Sequence, residues 1–152
     1  MKEVYKELRA QYKELPTFSS INKEFRIGSM GHSPFPFDAL IKRILNQFEA
    51  LKNLLQPIVE PDTNSMLGMY EHSSTSEEHR IACTEMYKTI SYLERVLQAS
   101  ALSRDKQRQT VAIIEATRAH EKIRKALVPY LEHFADVWLE DHGSQSQPDY
   151  LG

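Results

Sequence analysis

Apolar residues recur along the last part of this chain at a spacing that suits a helix. Ile113, His120, Leu127 and Phe134 fall seven residues apart, and Ala116, Ile123, Tyr130 and Val137 follow three places behind them. Residues three and four apart stack on one helix face, so these eight positions form a single seam like the a and d positions of a coiled coil. Leaving such a seam in water forfeits about 1.5–3 kcal/mol per large apolar side chain, so other helices must cover it. A second seam, His79, Cys83, Met86, Ile90, Leu93 and Leu97, has the same alternation and predicts a natural antiparallel partner. Ile41, Ile44, Leu45, Phe48, Leu51, Leu55 and Ile58 make a wider stripe on a third helix. Near the start, Val4, Leu8 and Leu15 share a face with Tyr5 and Tyr12 beside them, and Pro16 stops the pattern.

Breakers and caps set the boundaries. Asp38 suits the first turn of the third stripe, and Pro57 and Pro61 close it. Ser19 to Arg26 has room for a short helical turn behind a serine pair. Gly28, Gly31, Pro34 and Pro36 mark 27–37 as a loop that Phe35 and Phe37 anchor. Residues 62–76 read as a long surface connection interrupted by Met66, Leu67, Met69 and Tyr70. Ser74 with Glu77, or Thr75 with Glu78, matches a capping box and places a helix start near Ser76. No glycine or proline lies between Gly68 and Pro129, so the break between the last two helices rests on the polar run Ser103 to Thr110, with Ser103 and Asp105 as caps. One unbroken helix from Ser76 to Pro129 is the alternative, and it implies an elongated oligomer. Pro129 interrupts the last seam without changing its phase, which predicts a kink.

The pattern therefore predicts an all-α, four-helix-bundle-like domain over 1–142. It has one short N-terminal helix and three long helices over roughly 38–57, 76–101 and 104–142, the last kinked at Pro129. A C-terminal tail, 143–152, offers only Tyr150 and Leu151 for burial and is expected to be flexible.

Length and composition agree with that reading. The 152 residues suffice for one core, 41% are apolar, and five glycines leave little material for tight turns. The formal charge of −2 speaks against a general nucleic-acid binder. It conceals a gradient: Arg104 to Lys125 holds seven basic and three acidic residues, whereas beyond Pro129 there are five acidic residues and no lysine or arginine. The single cysteine, the mixed-charge N-terminus and the lack of any long apolar run predict an intracellular, cytoplasmic protein outside the membrane.

Candidate chemistry is sparse. His79 and Cys83 lie four apart on one face and His120 lies on the neighbouring seam, so facing helices can offer three soft ligands to zinc. A hydrogen-bonded core histidine and a buried cysteine explain the same residues. Neither the Glu-x-x-His pairs of di-iron bundles nor a glycine-rich phosphate loop occurs, so no cofactor is expected. Met66, Leu67, Met69 and Tyr70 offer an apolar recognition patch. Arg104, Arg108, Arg118, Lys122 and Lys125 offer a basic helix face, with no aromatic interleaved to stack on bases. The sequence thus favours a non-enzymatic protein–protein interaction, assembly or regulatory module that forms a homodimer. The alternative is a histidine and cysteine site for a metal or small molecule between the last two helices.

Overall fold

A computed structural model of the chain describes residues 1–141, apart from the side chains of Leu67, Glu140 and Asp141. The expected tail, 143–152, lies outside the described residues. Those residues form six α-helices and no strand: α1 (Lys2–Gln11), α2 (Phe18–Phe25), α3 (Pro36–Val59), α4 (Met66–Ser74), α5 (Glu77–Ser103) and α6 (Lys106–Asp141), with a 3-10 turn at Ile27–Ser29. The all-α expectation holds. None of these helices is long and apolar enough to cross a membrane.

Three long helices carry the core. The ion pair of Lys52 Nζ with Glu94 Oε2 at 2.8 Å, and a groove shared by Leu45 and Ala101, set α3 and α5 antiparallel. The chain then reverses at Arg104, so His79 at the start of α5 meets Tyr130 late in α6. Both seams face inward: Cys83, Ile90 and Leu97 on α5 and Ile113, Ala116 and Leu127 on α6 are buried. The burial of α6 is wider than its seam, since Gln109, Thr110, Ala112 and Thr117 are buried too. The cause is that α6 packs on α2, α3 and α5 from different sides. The Thr110 and Thr117 hydroxyls avoid a desolvation penalty by donating to the carbonyls of Lys106 and Ile113, one turn back.

Several boundaries differ from the sequence expectation. The helix expected over 38–57 starts earlier, at Pro36, and continues through Pro57 to Val59 as α3. Proline forfeits the bond to the Asn53 carbonyl there. The buried Leu55 and Ile58 on either side hold the turn in place. The expected surface connection contains α4, whose first turn is capped by Ser65 Oγ accepting from the Gly68 amide at 3.2 Å. Neither predicted capping box forms. Ser76 caps α5 through the His79 amide, and the Thr75 hydroxyl instead donates to the Glu71 carbonyl. α1 stops at Gln11, after which Arg9 Nε donates to the Leu15 carbonyl and the Tyr5 hydroxyl to that of Pro16. That closed turn delivers Leu15 to the core. Of the two phenylalanines expected to anchor the loop, Phe37 packs edge-on against Tyr12, whereas Phe35 is 67% exposed.

The break between the last two helices lies where the polar run placed it. Arg104 takes the left-handed conformation, and Asp105 Oδ1 accepts from the amides of Gln107 and Arg108. Those two bonds satisfy free donors at the start of α6.

Candidate functional site

The spacing of Ile21, Glu24 and Phe25 sets a carboxylate on the inward face of an apolar helix, where it requires partners. They come from α6. Glu24 Oε2 accepts from His120 Nδ1 at 2.9 Å and from Arg124 Nε at 3.0 Å, while Oε1 accepts from Arg124 Nη2 at 3.0 Å. His120 and Arg124 are one turn apart, so both reach the same carboxylate, and the arginine holds it with a two-pronged fork. The Glu24 and His120 side chains are 3% and 4% exposed, whereas Arg124 reaches solvent at 39%. The His120 ring lies 4.7 Å from that of Phe25 and 5.8 Å from that of Phe48.

Electrostatics fixes the protonation of the cluster. Burial opposes ionisation of Glu24, but the hydrogen bonds from Arg124 and His120 and the charge of Arg124 outweigh it and hold the carboxyl below its ordinary range. For His120 the balance runs the other way: burial lowers its pKa despite the nearby carboxylate. Burial thus favours the neutral imidazole, which donates to the carboxylate through Nδ1. Among the described residues, Glu24 is the only side chain that hydrogen-bonds this ring. The cluster ties α2 to α6, and on its other side α2 is tied to α3 by Arg43 Nε, which donates to the Phe25 carbonyl at 2.7 Å.

Glu24 and Arg124 were absent from the sequence candidates. The signal that points to them is an acid on the apolar face of α2 and an arginine four residues beyond a seam histidine.

The three residues considered for metal, His79, Cys83 and His120, have different surroundings. His120 is engaged by Glu24, while the His79 ring lies 5.0 Å from Tyr130 and 5.1 Å from His133. Cys83 is fully buried, and burial raises its pKa, which keeps the thiol protonated. No group of three or more His, Cys, Asp or Glu side chains among the described residues is placed to hold a metal ion.

The apolar patch divides. Tyr70 packs on Trp138 with ring centroids 4.9 Å apart, and the indole Nε1 donates to Glu71 Oε1 at 2.8 Å, which fastens α4 to α6. Met66 is 88% exposed and Met69 is also exposed. The Leu67 side chain lies outside the described residues.

Arg104, Arg108, Arg118, Lys122 and Lys125 are all exposed. Lys125 pairs with Glu121 at 2.7 Å. The other four make no side-chain hydrogen bond or ion pair among the described residues. Arg118, Lys122 and Lys125 belong to a longer exposed stripe, Val111, Glu115, Arg118, Lys122, Lys125, Pro129, Glu132, Asp136 and Leu139, at alternating four- and three-residue steps. Beside it, Tyr92, Val96, Ala99 and Val111 line a cleft of about 470 Å³ between α5 and α6, with Arg95 and Arg108 at its edges. No family model, curated protein or solved structure matches this chain.

Proposed function

We propose that this chain is a non-enzymatic helical interaction module that pairs with a second copy of itself through the outer face of α6. The observation that carries the reading is the exposed stripe from Val111 to Leu139, which repeats the spacing of the buried seam on the opposite side of the same helix. Its first half is mainly basic and its second half acidic. In an antiparallel pairing that sets Arg118 opposite Asp136 of the second copy, Lys122 falls opposite Glu132 and Lys125 opposite Pro129. No like charges then face each other, and a two-fold axis makes every pair twice. Exposed ion pairs contribute only about 0–1 kcal/mol each, and in this register Leu139 falls opposite Glu115, so the adjoining cleft lined by Tyr92, Val96 and Val111 must supply the remainder.

The domain is read as four-helix-bundle-like, with α1 and α2 together filling the fourth place beside α3, α5 and α6. Tyr5, Ile21 and Phe25 share one buried cluster with Leu40, Phe48 and Ile113, which supports that reading. A kink in α6 at Pro129 follows from the amide that the Lys125 carbonyl lacks, with the exposed proline on the convex side.

Light scattering on the purified chain tests the association. The expected mass exceeds 17.6 kDa, rises towards twice that with concentration, and falls in high salt. Lys122→Glu weakens the association, and adding Glu132→Lys in the same chain restores it. A mass of 17.6 kDa at every concentration overturns self-association.

A further inference from the structure

The end of the molecule where α5 turns into α6 carries a groove of about 1000 Å³ that neither the Glu24 cluster nor the α6 stripe uses. It runs between the first turns of α3 and the α5–α6 turn. Leu102 and Phe35 line it at 85% and 67% exposure, and Leu45 contributes to its apolar wall. Such large apolar side chains left this open mark a surface prepared for a partner when polar groups rim them. The rim here is basic. Lys42, Arg104 and Lys106 stand against the single carboxylate of Asp38, on a chain whose net charge is −2. The start of α3, which no side chain caps, adds the positive end of a helix dipole to the same rim.

Arg104 carries a further sign. It occupies the left-handed position after α5 with φ 55° and ψ 11°, a place that glycine fills at least strain. Its guanidinium has no ion pair or hydrogen bond within the described residues, and neither has the Lys42 ammonium.

We propose that this groove docks an acidic peptide segment of a partner protein. The segment lays one aromatic or large aliphatic side chain against Phe35 and Leu102 and sets carboxylates on Lys42 and Arg104. The concave shape favours a peptide over a lipid surface, and the basic rim selects its charge. The proposal does not rest on self-association, since the groove and the α6 stripe share no residue.

Fluorescence anisotropy on the full chain tests it, with a labelled synthetic peptide in which aspartates and glutamates flank a Trp-Leu pair. A second peptide replaces every acid with lysine. The acidic peptide is expected to bind saturably and to weaken with salt, while the lysine peptide does not bind. Leu102→Asp should weaken binding roughly tenfold or more, as loss of a buried anchor does. Arg104→Gly separates binding from folding: glycine relaxes the left-handed turn, so the melting temperature stays level or rises, while peptide affinity falls about three- to tenfold. Absence of saturable binding, equal binding of the lysine peptide, or unchanged affinity in both variants overturns the proposal. Binding of the chain to phosphatidylserine vesicles without binding to the acidic peptide overturns it in favour of a membrane surface.

Discussion

Replacing Glu24 by glutamine tests the joint between α2 and α6 with almost no change of shape. Glu24 accepts three hydrogen bonds, all from charged or buried donors. The amide of glutamine keeps one oxygen, which still takes Arg124 Nη2. Its NH₂ group now faces both Arg124 Nε and the histidine, and a change of tautomer at His120 relieves only the second conflict. Breaking a buried ion pair on one side costs about 3–5 kcal/mol. Arg124 is 39% exposed, so water screens and partly replaces its share, which lowers the expectation to about 3 kcal/mol. For a chain of this length 1 kcal/mol corresponds to roughly 2–4 °C, so the melting temperature should fall by about 6–12 °C. Thermal and guanidinium unfolding followed by circular dichroism at pH 7.5 measure the loss, with the exposed Glu115→Gln as the matched control. Coincident melts of the two variants refute the claim that the cluster anchors α2.

The same cluster predicts acid lability. His120 has its pKa lowered on folding, so the unfolded chain takes up that proton first, and stability should start to fall as the pH drops below the ordinary histidine value of 6.5. The lowered carboxyl of Glu24 adds a further loss as the pH falls below its ordinary 4.5, and His120→Gln should remove the earlier part of the profile. On the α6 seam, Leu127→Ala should cost about 2–5 kcal/mol because the residue is 2% exposed, whereas Lys122→Ala on the outer face should stay within about 0.5 kcal/mol. Denaturant melts of those two variants that overlay would mean that the inward face of α6 has been misassigned.

The sequence by itself determined the helical class, both seams and the break at Asp105. Each depends on relations within a few residues: a 3.6-residue period exposes an apolar face, and a carboxylate near free amides caps a helix. Helix α4 was illegible because Gly68, Ser73 and Ser74 are weak helix formers, and the partners of Tyr70 and Glu71, the Val137 carbonyl and Trp138, lie 67 residues away in each case. Likewise, nothing in the local pattern of the loop tells Phe35 from Phe37, and only the position of Tyr12 takes one inward and leaves the other at the groove. The main joint was decided by tertiary structure as well. Glu24 reaches His120 across 96 residues and Arg124 across 100, and no periodicity records which helix faces come together. Local spacing states which side of a helix must be covered. What covers it, and which buried charge meets its counter-charge there, is settled only when the helices pack, because burial creates the requirement for a partner and the packing supplies it.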